Sequence, residues 1–503
     1  MSTACAPEPS PGLEQPPSAW VTGSMHRVGE TEVATGRTDH ELAAARGGTD
    51  SFQVVVAGGR SGLTGVELEV GELTGPDGAA LPASAVTRYR EHYVEVTATS
   101  PDRSGTNRPG GPGRYADGLI PFVHPDTGEP LDGELRAAGA EVAPGLNQPY
   151  WIDVAVPADA VPGIYEGTWT ATADGFRESG RITLTVSTIQ LPARPSLRSV
   201  VLNWTGRTAV SRELLRHKLV PTSALPDPDD PLSQVVNVAD VGLFSGADEG
   251  RCRLDPPPPV ERIRAAAARE ERSGALLLNY TADEIGGCDD VAESVRAWSR
   301  ALHEAGVAQL LTQAPDPALF DDGTGRPAVD VWAMLPKQYE DDPELVAEAR
   351  ARGAEVWSYN ALAQDGYSPK WLLDFAPIDF RIQPGFLNQQ LGLGGILYWR
   401  ADAWTDRPWD DVYAYSPDGY PGEGQLLYPG EQVGIDGGAV PSMRLKWLRD
   451  GVEDFELIGL ARDRDPAGTD AAVRSVARDW QDWSPDPHRL AQARTVLLRL
   501  AGG

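Results

Sequence analysis

The stretch ALLLNYTADEIGGCDD, residues 275–290, carries two adjacent acids, Asp283 and Glu284, directly after an apolar strand pattern. Carboxylates sharing one pocket repel each other. One pKa rises, and that group can stay protonated near neutral pH and act as a general acid. Along a regular strand, however, neighbouring side chains point to opposite faces. Both acids enter one pocket only if the backbone leaves strand geometry near Ala282, which the TADEIGG context permits. The plainer alternative is a helix start, where acids complement the dipole. A second acidic pair, Asp248-Glu249, also follows a strand pattern but sits between glycines, and reads as solvated loop.

Such acids need a scaffold. From about Val21 to Pro192, segments such as DSFQVVVAG, GVELEVGEL, PYWIDVAVP and RITLTVSTIQL alternate with Gly/Pro turns, the pattern of an antiparallel β-sandwich. After LPARPSLRSVVLNW the character changes to strands alternating with helical patterns, which argues for a parallel sheet. Strand patterns fall at Ser199–Trp204, Leu219–Ala224, Val235–Phe244, Ala275–Tyr280, Val307–Thr312, Ala328–Met334, Ala354–Tyr359 and Gly395–Trp399. Together they predict a (β/α)8 TIM-type barrel, whose active sites lie at the C-terminal strand ends. The second and third patterns are the weakest, and without them a doubly wound sheet is the alternative. The expected organisation is a disordered Pro-rich leader (1–20), a β-sandwich (21–194), a catalytic barrel (195–460) and C-terminal helices packed on it (461–503).

Trp204, Tyr280, Trp332, Trp357, Tyr359 and Trp399 fall at or near predicted strand ends, where aromatic faces could floor a sugar pocket or pack the core. Arg400, Asp402 and Trp404 begin a long polar loop and could bind hydroxyls or pin the loop, and Tyr428 has the same two readings. In RDGVEDFE, the charges Arg449, Asp450, Glu453 and Asp454 at helical spacing read as structural pairs. Cys252 and Cys288 follow strand patterns near the acids; a disulfide bracing the rim and two free thiols are both open.

With a net charge of −29 the chain lacks the basic footprint of a nucleic-acid binder. No apolar run reaches the roughly 18–20 residues that span a bilayer. The start, MSTACAPEPSPGLEQPPSAW, resembles a mature Pro-rich leader, and Cys5 reads either as the lipid-bearing residue of a lipoprotein or as an incidental cysteine in a disordered tail. The expected location is therefore secreted or cell-surface.

Adjacent carboxylates suit glycoside cleavage in which the sugar's own 2-acetamido group attacks the anomeric carbon. One acid orients that group and the next protonates the leaving oxygen. The strand–YTADE element resembles the Asp-Glu motif of glycoside hydrolase family 123, the β-N-acetylgalactosaminidases. ARGGTDSFQVVV and NQPYWIDVAVPADAVPGIYEGTWT resemble the family's N-terminal sandwich. GGILYWRADAW, GEGQLLYPG and VPSMRLKWLRDGVEDFELI, in that order, resemble the C-terminal part of its barrel. The resemblance spans about residues 25–460 and implies a retaining, substrate-assisted hydrolase of β-linked N-acetylgalactosamine. Asp283 would orient the acetamido group and Glu284 would be the acid/base, with no metal or organic cofactor. Ile285 replaces the proline that many relatives carry after the pair. The expected substrate contacts are Tyr280, Trp332, Trp357, Tyr359, Trp399, Arg400, Asp402 and Tyr428. Two other readings remain: a glycosidase with a protein nucleophile acting on a different sugar, and a glycan-binding protein without catalysis.

Overall fold

The computed structural model describes residues 15–502, so the first part of the expected leader, Cys5 included, lies outside the described residues. Ten strands come first: β1 (Ser18–Gly23), β2 (His40–Arg46), β3 (Thr49–Ala57), β4 (Leu63–Val70), β5 (Val86–Val96), β6 (Gly113–Pro121), β7 (Ala140–Val142), β8 (Asn147–Ala155), β9 (Gly163–Ala173) and β10 (Phe176–Gln190). They form two five-stranded sheets, ordered β1-β3-β8-β5-β6 and β2-β10-β9-β4-β7. Alternation decides the faces. In β4, Val66 and Leu68 are buried while Glu67 and Glu69 face water. One apolar cluster joins Phe52, Val54, Tyr150 and Ile152 of the first sheet to Leu42, Leu68, Trp169 and Leu184 of the second.

Seven parallel strands follow: β11 (Arg198–Val201), β12 (Val238–Asp240), β13 (Leu276–Asp283), β14 (Ala308–Thr312), β15 (Val331–Met334), β16 (Glu355–Asn360) and β17 (Gly395–Tyr398). Their order, β11-β17-β16-β15-β14-β13-β12, is that of a nearly closed barrel. The edges approach where Asn237, just before β12, donates to the carbonyls of Pro195 and Leu197, just before β11. The second expected strand forms no ladder, so seven strands stand where eight were expected. Leu219–Ala224 makes only a one-residue bridge, Val201 to Pro221, because proline has no N–H to donate onward. The pattern over Val235–Phe244 shortens to three residues. There Asp240 Oδ1 accepts from Gly242 N and Tyr280 N, so a side chain replaces the ladder.

Interleaved and following helices are α1 (Thr208–Arg216), α2 (Val260–Glu270), α3 (Ala292–Glu304), α4 (Pro336–Asp341), α5 (Pro343–Ala351), α6 (Pro377–Ile382), α7 (Asn388–Leu391), α8 (Met443–Arg464), α9 (Pro466–Arg474) and α10 (Pro487–Gly502). The long α8 starts at Ser442, whose hydroxyl accepts from Leu445 N, a cap worth about 1 kcal/mol. It runs past the expected boundary at 460, and Leu457, Ile458 and Ala461 pack with Val473, Leu490 and Leu497 of the last two helices.

Apart from Arg449 with its neighbour Asp450, the charges on α8 pair mainly across the chain. Arg444 forks onto Asp117 of β6 at 2.8 and 2.8 Å, and Lys446 reaches Asp153 of β8 at 2.7 Å. Arg449 also bonds Asp153, Asp454 accepts from Arg381, and Glu453 accepts from Thr49 N. Burial alone would push the Asp153 carboxyl up, but Arg449 and Lys446 hold it well below the usual carboxylate range. Among the described residues, no helix is long and apolar enough to cross a membrane.

Candidate active site

Parity along the short barrel strands places the site. Val200, Val238, Leu278, Leu310, Ala333, Trp357 and Leu397 fill the interior, topped by Tyr280, Tyr359 and half-buried Trp399. Asp283 ends β13 at this C-terminal rim. The regular pairing of β13 with β14 slips between Tyr280 and Ala282, a bulge at Thr281. Glu284 then turns left-handed, at φ 48° and ψ 36°. These two departures from strand geometry let both acids serve one mouth, and they resolve the parity problem that adjacent acids pose.

A directed set of hydrogen bonds fixes the pair. Glu284 N donates to Thr312 Oγ1 at 3.0 Å, and Thr312 Oγ1 donates to Asp283 Oδ1 at 2.6 Å. The Tyr280 hydroxyl donates to the same oxygen at 2.7 Å. Asp283 Oδ2 accepts no hydrogen bond from the described residues. Burial, then Asp283 and Glu249, push the Glu284 carboxyl up to about 7. A carboxyl so placed holds a proton at neutral pH beside one that is tied as an acceptor.

The surrounding wall is aromatic. Trp399 meets Trp204 and Tyr415 edge-on at 5.8 Å each, and Phe244 meets Tyr280 at 6.2 Å. Trp204, Phe244 and Tyr415 are 60, 52 and 47% exposed, a large apolar area to leave in water without a ligand. Arg400 lies over the Trp204 ring at 4.9 Å and donates to Asp402. Asp402 is fully buried and accepts from Trp204 N and Thr205 N, so it pins the loop.

The expected contacts thus divide. Tyr280 and Tyr359 lie beside Asp283 and Glu284, with Trp399 packed in the same cluster, and Arg400 stands over Trp204 at the outer wall. Four residues expected to bind substrate are placed otherwise. Trp332 points out of the barrel, into a cluster with Val295, Trp298 and Leu302 of α3. Trp357 lies in the interior below Tyr359, its ring against Gly395, where a Cβ would come within 2.5 Å of it. Asp402 serves the loop, and the Tyr428 hydroxyl donates to Asp117 at 2.7 Å in the interface with the N-terminal sheets.

The sequence reading missed Thr312, Asp240, Glu423 and the electrostatic part of Glu249. Asp240 faces the interior beside Tyr280, and burial raises its carboxyl to about 6. Glu423 is buried within GEGQLLYPG, and its burial raises it to about 7. The signals were faint: a polar residue at a strand end for Thr312, and an acid between glycines for Glu423 and Glu249. A disulfide joins Cys252 to Cys288, with Cα atoms 5.3 Å apart, tying the loop that carries Glu249 to the turn after Glu284.

Residues 290–461 match the family model described as Glycoside hydrolase 123, catalytic domain. The chain resembles glycoside hydrolase family 123, and it is a glycosidase. The matched segment contains GGILYWRADAW, GEGQLLYPG and the α8 sequence, and it begins just after Asp283 and Glu284. A family 123 glycoside hydrolase from Clostridium perfringens, studied for glycolipid glycan hydrolysis, superposes on the glycosidase with a TM-score of 0.64 at 13% identity. The superposition covers 96% of this chain and 97% of that one, so the two share a fold across both parts. A β-glucuronidase from Parabacteroides merdae aligns at a TM-score of 0.28 and 9% identity, over 87% of the glycosidase and 52% of its own length, too low to carry an argument. No curated protein matches the sequence.

Proposed function

We propose that the glycosidase removes β-linked N-acetylgalactosamine from glycans or glycoconjugates, with retention and with the substrate's acetamido oxygen as nucleophile. The observation that carries this reading is the asymmetry of the acid pair. Asp283 has one oxygen tied by Tyr280 and Thr312 and one free, suited to accept an acetamido N–H and to stabilise the oxazolinium as charge develops. Glu284, raised to about 7, holds the proton that the leaving oxygen needs, and as the carboxylate it then activates water. Trp399 and Tyr359 offer the pyranose its platform. On this reading the N-terminal sheets are a β-sandwich, the parallel sheet is a TIM-type barrel lacking one ladder, and the Cys252–Cys288 bridge accords with export.

The test is hydrolysis of aryl β-N-acetylgalactosaminide, β-N-acetylglucosaminide and β-galactoside by wild type and Glu284→Gln. The first substrate is expected to be cut with the β-anomer formed first, and the variant to lose about 10²- to 10⁴-fold. Because the protonated form of Glu284 acts, wild-type kcat/KM holds below about pH 7 and falls as pH rises through that value, and the variant lacks this limb. Cleavage of the galactoside instead would exclude the acetamido route and call for a protein nucleophile, trappable as a glycosyl-enzyme. Sugar binding without cleavage, unaltered in Glu284→Gln, would make the protein a lectin-like binder.

A further inference from the structure

Glu423 is buried in the loop after β17, and both its oxygens accept hydrogen bonds from different parts of the mouth. Oε1 accepts from the Trp399 indole N–H. Oε2 accepts from Leu362 N, 3.1 Å away, at a left-handed residue (φ 55°) just beyond β16. The next residue completes the seat. Gly424 N donates to the Tyr398 hydroxyl at 2.9 Å, and a Cβ at residue 424 would lie 2.7 Å from the Trp399 ring. The Trp399 ring therefore rests on the Gly424 backbone with its polar edge tied to Glu423, while Trp204 and Tyr415 close its sides.

We propose that Glu423 is a positioning residue, which sets the orientation of the Trp399 sugar platform and locks it to the turn after β16. The role rests on the proposed use of Trp399 as the surface under the sugar. Glutamine cannot replace glutamate here, because its single carbonyl oxygen serves only one of the two N–H donors. The groups facing the Glu423 carboxyl are the Trp399 indole, Leu362 N, the Tyr398 hydroxyl and, more distantly, the Arg444 guanidinium. All of them favour the charged acceptor, against the burial that opposes it. A platform held this way is set before substrate arrives, which places its effect in binding.

The experiment compares Glu423→Gln, Trp399→Phe and the double variant on whichever aryl glycoside the wild type cleaves. Glu423→Gln is expected to raise KM about tenfold or more with a smaller change in kcat. Trp399→Phe is expected to do the same, and the double variant no worse than Trp399→Phe alone. Multiplying effects, or a fall confined to kcat, would overturn the proposal. A second readout needs no activity. The Trp399 indole N–H resonance, assigned by its loss in Trp399→Phe, should sit downfield in wild type and move upfield in Glu423→Gln. If wild type cleaves none of the substrates, the proposed function fails while this resonance still decides the positioning role; an unmoved resonance overturns it. Should Glu423→Gln not fold, Glu423→Asp, which shortens the reach to both donors, gives the same two readouts.

Discussion

The Tyr280 and Thr312 hydroxyls converge on one oxygen of Asp283, so on the proposed function Tyr280 is expected to act through that acid. A hydrogen bond to a charged group contributes about 1.5–3 kcal/mol, and Thr312 remains when Tyr280 is changed. Tyr280→Phe is therefore expected to lower kcat/KM about tenfold while the melting temperature moves little. A loss as large as that of Glu284→Gln would instead make the hydroxyl part of the reaction itself. The acid pair was legible in the sequence because an apolar run breaks off at it. Thr312 was not, since its partner lies 29 residues away and contact of that kind leaves no local pattern. Trp332 and Trp357 were misplaced for a related reason. Parallel strands are buried on both faces, so VWAM and EVWSYN give no alternation from which an inward face can be told from an outward one.

At the scale of elements, the turn that carries the acid pair is short of regular structure. After Glu284 only a three-residue turn, Ile285–Gly287, precedes Cys288. The disulfide crosses to Cys252 over a sequence separation of 36, a loop whose closure contributes about 3–4 kcal/mol. Replacing both cysteines by serine is expected to lower the unfolding free energy by up to that amount in denaturant titration. It should also weaken catalysis, because the loop carrying Glu249 is released from the turn after Glu284. Unchanged stability and activity would show that hydrogen bonds such as Asp283 N on Ala247 O and Ser245 N on Thr281 O hold the loops without the disulfide. Strand and helix alternation gave the parallel sheet from sequence, but not its number. Pro221 and the side-chain bond of Asp240 subtract ladder positions that an apolar pattern still advertises.

Across the whole molecule, α8 belongs to both halves at once. Arg444 and Asp117 are fully buried and doubly bonded, and removing one partner leaves an unpaired buried charge, costing about 3–5 kcal/mol. Arg444→Ala is expected to lower the melting temperature of the sheets and the barrel together, in one calorimetric transition. Two separated transitions would show that the halves fold independently. The helical spacing of RDGVEDFE marked Arg449 as structural, but its partner Asp153, 296 residues away, could not be read from the helix.

The same interface changes what the connecting peptide does. Between β10 and β11 the chain passes through exposed Pro192 and Ala193. Covalent continuity there is expected to be dispensable to cohesion once folding is complete. A protease site inserted between those residues and cut in the native protein should give two polypeptides that still co-elute under native conditions and part only in denaturant. The severed N-terminal piece could leave only by carrying Asp117 and Asp153 away from their cations, so the glycosidase would survive as a non-covalent heterodimer of its own fragments.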